Sequence, residues 1–364
     1  MKRIISFALI FIMALSLAAC KQPKEASVDP TDAPKPTETV TQPTEEPTPA
    51  PTEAPTPEPT EAPTPLPILL PVQEYPLPDD PADIGDCIKD ADVILHLQYG
   101  DGEYDLGYAP PGEMDIYRRM PESFVIHNGK YYILDSVKSR IIVWDDGELS
   151  SIDLPPAKNY DYYMTFAIVG DRIYASTTEW LVDEIYVFDM SGKTLGTIPL
   201  PAEALRHGVY RLYDDNGRLI MFDDHLICYE LVGDEFVELY RIFVTGLTTP
   251  EETLTVGDHR YELNIGENTN MHGRQIYGDR VYCFVFEYDP NIPAPHEEMS
   301  FRIYRSDGEL LGETLVDCRE ALDYPDSPMF ITSDGTLYVM CLMQDGLYIT
   351  KPHMRMEYTS HIGK

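Results

Sequence analysis

The chain has 364 residues, with 27 Lys and Arg against 62 Asp and Glu, for a formal net charge of −35. That balance argues against nucleic acid as a partner, whose phosphates demand a basic surface, and against electrostatic adhesion to anionic lipid. The acidic residues are spread along the chain rather than clustered, which reads as solubility more than as a cation site.

At the start, Lys2 and Arg3 precede an apolar run from Ile4 to Leu17 that only Ser6 and Ser16 interrupt. A basic start, a short apolar core and small residues form the layout of a secretory signal, here over residues 1–19. The run is short for a membrane span, which needs about 20 apolar residues. Leu17-Ala18-Ala19-Cys20 resembles the lipobox of bacterial lipoproteins. The resemblance implies cleavage before Cys20 and a diacylglyceryl group on its sulfur. The expected protein is exported and held by lipid on the outer side of the bacterial cell membrane. One acyl chain anchors weakly, at about 0.8 kcal/mol per buried CH₂, so two or three on one cysteine make the attachment durable.

Residues 20–80 read as linker. Between 21 and 80 lie 17 of the 32 prolines, in units such as Pro51-Thr52-Glu53-Ala54-Pro55. Such a Pro/Thr/Glu-rich stretch cannot bury enough apolar surface to offset chain entropy, so a disordered stalk is expected, dispensable for folding. Proline density biases it to polyproline II at about 3.1 Å per residue, so fifty residues reach on the order of 150 Å.

Residues 81–364 form the folded part and alone carry −28, from 22 basic and 50 acidic residues. No second linker divides them. Runs such as Tyr131-Tyr132-Ile133-Leu134, Ile185-Tyr186-Val187-Phe188 and Leu337-Tyr338-Val339-Met340 are β-branched or aromatic and of strand length. Asn128-Gly129, Asp146-Gly147 and Asn216-Gly217 supply the positive φ angles of tight hairpins. Only 191–208 and 316–323 hint at helix. An all-β architecture follows.

A strand–turn–strand unit recurs as Gly129-Lys130-Tyr131-Tyr132, Asp171-Arg172-Ile173-Tyr174, Gly217-Arg218-Leu219-Ile220, Asp279-Arg280-Val281-Tyr282 and Gly335-Thr336-Leu337-Tyr338. The intervals are 42, 46, 62 and 56 residues. The first two match the period of β-propeller blades, about 40–50 residues. The longer two fit one blade plus an insertion, and Asp258-His259-Arg260-Tyr261 reads as an outer hairpin, with the head of another blade as the alternative. Five units and the early strand Val93-Ile94-Leu95-His96-Leu97 give six blades most simply. The early strand is expected to pair with the last blade and close the ring, which removes exposed sheet edges.

The segment from Pro121 to Trp144 resembles an NHL repeat through Pro121, Val125, Gly129, Tyr132, Asp135, Arg140 and Val143. The resemblance implies a propeller, commonly six-bladed. Lys138 stands where that family usually has asparagine, and the other units lack the Asp-to-Arg segment.

Chemistry is sparse. There is no Gly-x-Ser-x-Gly, His-Glu-x-x-His, phosphate-binding glycine loop, Cys-x-x-Cys or EF-hand loop. Asp214-Asp215-Asn216-Gly217 lacks the ligand spacing of a calcium loop and reads as a hairpin turn. Cys228, Cys283 and Cys341 lie in apolar runs and read as buried thiols, while Cys87 and Cys318 form a candidate disulfide. The expected function is a ligand- or partner-binding scaffold for a cell-envelope protein, peptide or glycan, with no cofactor and no catalysis. The alternative is a calcium-dependent propeller hydrolase or lactonase, which needs carboxylates converging on the axis. The first-choice binding element is the insertion 286–301, with Tyr288, Asp289, His296 and Glu297.

Overall fold

Each turn–strand unit becomes part of a separate antiparallel sheet. The computed structural model describes residues 69–76, 78–79, 83, 85–86, 88–110, 119–157, 162–177, 183–223, 225–245, 251–256, 259–264, 269–288, 297–316, 321–323 and 328–355. The signal, Cys20 and the linker up to residue 68 lie outside them, as do Cys87 and Cys318.

Strand β1 (Ala91–Gln98) comes first in the chain but joins the last sheet. The first sheet runs β2 (Ser123–His127), β3 (Lys130–Asp135), β4 (Arg140–Asp145) and β5 (Glu148–Asp153) in neighbour order. The second repeats this with β6 (Tyr163–Val169), β7 (Arg172–Thr177), β8 (Glu184–Asp189) and β9 (Thr194–Pro199). The third has six strands, β10 (Val209–Asp215), β11 (Arg218–Asp223), β12 (Ile227–Val232), β13 (Glu235–Thr245), β14 (Glu251–Val256) and β15 (His259–Asn264). The fourth runs β16 (Thr269–Tyr277), β17 (Arg280–Tyr288), β18 (Glu297–Arg305) and β19 (Leu310–Val316). In the fifth, β20 (Ala321–Asp323) and β21 (Met329–Ile331) both pair with β22 (Leu337–Met343), followed by β23 (Gly346–Pro352) and then β1.

The tight turns have the chemistry their sequences imply. Asn128 and Gly129 take φ 51° and 78°, and Asn216 and Gly217 take 54° and 86°. A Cβ on Gly129 or Gly217 would meet nothing within 4 Å, so it is the backbone angle, not lack of space, that calls for glycine there. Asp214–Gly217 is thus a hairpin, as expected. Strands β14 and β15 extend the third sheet outward, which is the outer hairpin expected around His259.

Five apolar clusters join neighbouring sheets in a closed cycle. One packs the first sheet on the second, through Leu134 and Ile141 against Phe166 and Ile173. Others join second to third, third to fourth and fourth to fifth. The last sets Leu95, Leu347 and Ile349 of the fifth sheet against Ile133 and Ile142 of the first. Adjacent residues on one strand serve opposite interfaces. Tyr131 and Ile133 face the fifth sheet, while Tyr132 and Leu134 face the second. Side chains alternate across a strand, so a strand buried on both faces reads as an unbroken apolar run. This is a closed β-propeller.

Two expectations need correction. Among the described residues the ring has five blades rather than six. Each of the five units heads the second strand of one sheet, and the early strand completes the fifth blade as its outer member instead of founding another. The helix hints also fail: β9 and a 3₁₀ turn at Ala204–Arg206 occupy the first, and β19 ends and β20 lies within the second. Proline and small polar residues there break the alternating pattern without supplying a helical one.

The folded unit also begins upstream of residue 81. Leu70 N–H donates to Asp334 O at 2.7 Å, Arg280 Nη2 donates to Leu70 O at 2.6 Å, and Tyr75 N–H donates to Met354 O at 3.0 Å. Val72 packs against the cluster between the fourth and fifth blades. Leu69 to Tyr75 is the least proline-dense end of the linker, and its apolar residues have a partner.

An ion pair fastens the two ends of the domain. Asp90 and Arg355 are both buried, with Asp90 Oδ1 2.5 Å from Arg355 Nη2 and Oδ2 2.9 Å from Nη1. Removing one member of such a pair strands a buried charge and costs about 3–5 kcal/mol. Asp90→Ala should therefore lower the stability measured by urea denaturation by about that amount. An unchanged midpoint would show that the clasp contributes nothing.

Candidate functional site: the axial cavity

The first strands of the blades crowd the axis, and between them lies a cavity of about 570 Å³. All five sheets supply its wall: Phe124 and His127 from β2, Thr165 from β6, Arg211 and Tyr213 from β10, Tyr277 from β16, and Phe330 from β21. Tyr131 and Tyr338 of the second strands reach it as well. Its volume falls within the range of small-molecule sites, about 300–1,000 Å³, and its wall mixes aromatic side chains with many polar ones, among them Ser123, His127, Thr165, Arg211 and Asp214.

Bulges in the first strands shape the wall. The register slips between Tyr163 and Thr165 in β6, between Val209 and Arg211 in β10, and between His272 and Gln275 in β16. An extra residue in one strand bends it and re-aims the side chains beside it. Thr165 Oγ1 then accepts the Leu212 N–H at 3.2 Å, which ties the second blade to the third at the cavity wall.

Arg211 is the cation of this wall. Its Nη2 donates to Met329 O at 2.5 Å, so the side chain runs from the third blade to the fifth. It is half-buried, and burial lowers its pKa from the ordinary arginine value, with Tyr210 and Tyr213 opposing that shift. No carboxylate pairs with Arg211 among the described residues. At the mouth, Asp214 Oδ1 accepts the Gly217 N–H at 2.7 Å, and His127 Nε2 lies 3.0 Å from Asn128 Nδ2. Burial holds the Asp214 carboxyl above its usual range, while the Gly217 N–H and His127 pull it back.

The residues singled out in the sequence are placed elsewhere. Tyr288 and Glu297 are paired across β17 and β18, so the expected insertion is shorter than 286–301. Asp289 and His296 lie outside the described residues. Cys228, Cys283 and Cys341 are buried and outside any disulfide, and burial pushes the Cys228 thiol up to about 12. Among the described residues no group of three or more His, Cys, Asp or Glu stands in metal-holding reach. Asp135 is fully buried and accepts Arg140 Nε at 3.2 Å and the Gly107 N–H at 3.1 Å, so this pair holds the turn between β3 and β4. Asp223 has the same task after β11, with His207 Nδ1 at 3.0 Å in place of the arginine.

Arg211 escaped the sequence reading, although a signal was present. Counting back six residues from each turn residue gives Ser123, Thr165, Arg211, Gly273 and Met329. Four of these are small or apolar and one is a guanidinium.

No protein-family model matches the chain, and no curated protein matches it. Among solved structures, a member of the DUF4221 family from Bacteroides vulgatus is similar over 73% of this chain and 98% of its own, with 13% identity and a TM-score of 0.45. Myxococcus xanthus glutaminyl cyclase is similar over 73% and 96%, with 10% identity and a TM-score of 0.39. The WD40 β-propeller domain of Doa1 is similar over 63% and 93%, with 10% identity and a TM-score of 0.38. At these values the fold rests on the sheets and clusters described above.

The raised Asp214 pKa fixes a sign. The native state holds this proton more tightly than the unfolded state, so stability falls as pH rises from the ordinary carboxylate range through the native pKa. Asp214→Asn should flatten that part of the stability–pH curve and raise stability at neutral pH. Thermal midpoints measured from pH 4 to 8, about the window in which the shift acts, check it.

Proposed function

We propose that the protein is an exported lipoprotein, anchored through Cys20, whose propeller holds a ligand or a partner's side chain in its axial cavity. The observation that carries this reading is the cavity itself, walled by all five blades and set with aromatic and hydroxyl groups. The anchor rests on Lys2, Arg3, the apolar run and Leu17-Ala18-Ala19-Cys20. The NHL-like relationship rests on the Asp135–Arg140 pair and the motif around it. The partner is a cell-envelope protein, peptide or glycan. No cofactor is required by this reading.

The hydrolase alternative calls for several carboxylates at the axis. Among the described residues, the cavity wall supplies Asp214 as its one carboxylate. A rigid ring with a shaped axial hole suits recognition, because the bound group meets walls that need not rearrange.

Cys20→Ser should abolish palmitate incorporation and release the chain from membranes. A Cys20→Ser protein that is cleaved and still sediments with membranes would remove the anchor. Ser333 is exposed at the cavity wall, in the turn after β21. Ser333→Trp should abolish capture of envelope components by the purified protein while its thermal midpoint stays unchanged. Undiminished capture would move the binding site away from the cavity.

A further inference from the structure

We propose that the axial cavity binds a small organic monocarboxylate, with Arg211 holding the carboxylate and the aromatic walls holding its body. The inference rests on the cavity being the binding site.

Among the described residues Arg211, like the buried Arg280 that donates to Leu70 O, differs from most arginines in meeting no carboxylate. Arg140, Arg218, Arg241, Arg302 and Arg355 each meet a carboxylate. With 62 acidic residues against 27 basic ones, carboxylates are plentiful. Arg211 nevertheless has only the Met329 carbonyl, a neutral acceptor, as its hydrogen-bond partner among the described residues. A charge withdrawn from water without a counter-charge is costly, so the position is unfavourable unless an anion completes it. Nearby, Ser123 Oγ is buried in the same wall without a hydrogen-bond partner. One wall therefore carries a cation lacking an anion and a hydroxyl lacking an acceptor.

The repeat shows how the space arises. Ser123, Thr165 and Gly273 occupy the positions equivalent to Arg211 in three other blades. Small residues there leave room for one long side chain to cross the axis to Met329. A guanidinium presents a planar fork of donors that matches a carboxylate with two parallel bonds. Phe124, Tyr131, Tyr277, Phe330 and Tyr338 offer faces for a ring or an apolar chain.

Charge selects carboxylate over phosphate. A phosphate monoester carries about −1.5 to −2 at neutral pH. One guanidinium neutralises one unit, and the surrounding domain carries −28 from 22 basic and 50 acidic residues. A monoanion matches the single charge of the Arg211 guanidinium.

The full-length protein in detergent is titrated calorimetrically with N-acetyl-phenylalanine, its uncharged amide, and phenyl phosphate. The acid should bind at one site, and the amide should bind at least about tenfold more weakly, the loss of one charge-assisted contact. Phenyl phosphate should bind more weakly than the acid. Arg211→Met should erase the advantage of acid over amide, and Arg211→Lys should keep part of it. If circular dichroism shows Arg211→Met to be unfolded, Ser333→Trp decides, because it leaves Arg211 in place and should abolish acid binding. No binding of the acid overturns the inference, as does equal binding of acid and amide or a preference for phenyl phosphate. Should Ser333→Trp block capture of envelope components while the acid neither binds nor competes, the carboxylate falls and the cavity reading stands.

Discussion

The constraint on which the structure depends is that each blade is apolar on both faces. Tyr131-Tyr132-Ile133-Leu134 cannot be satisfied by one neighbour, because alternate side chains leave the sheet in opposite directions. A row of such sheets would end in two exposed apolar faces. Only a ring leaves none, so the last blade must find the first. The weakest point of any ring is the place where the chain begins and ends. Here that seam lies within the fifth sheet, where β1 pairs with β23 over Ala91↔Pro352 to Gln98↔Gly346. The buried Asp90–Arg355 pair and the strap of residues 69–76 reinforce the same place. Tyr75 also stacks on His353 at 4.0 Å.

Ring closure also produces the cavity. First strands must converge on the axis, yet five twisted sheets cannot fill it completely. In three blades the residue six positions before the hairpin, Ser123, Thr165 or Arg211, lines what remains. The outer strands are free of this demand. In the first sheet β5 is largely exposed, whereas β3 is buried along most of its length.

Much of the architecture was legible in the sequence, because hairpin turns and doubly buried strands both leave local marks. Asn-Gly and Asp-Gly pairs located the turns, and the apolar runs located the second strand of every blade. The closing strand was legible too, since Val93 to Leu97 had no partner nearby in the chain. Blade number was not. It depends on whether an unpaired strand starts a sheet or finishes one, and local pattern is the same in both cases. The strap at Leu69–Tyr75 was hidden by the proline-rich stretch that runs into it. The composition of the linker extends into it, and only its contacts separate the two. The cavity was the least legible part. Its residues come from strands more than two hundred positions apart, as Phe124 and Phe330 do, and none belongs to a chemical motif. Arg211 stands out in the sequence only when the repeats are set in register, against Ser123, Thr165, Gly273 and Met329.

The seam has a consequence in time. Asp90 and Arg355 are 265 residues apart, and β1 cannot find β23 until nearly the whole chain is present. Contacts of such long range are slow to form, because loop closure precedes any gain from them. During synthesis the early blades acquire partners one by one, but the first blade keeps one bare face until the last arrives.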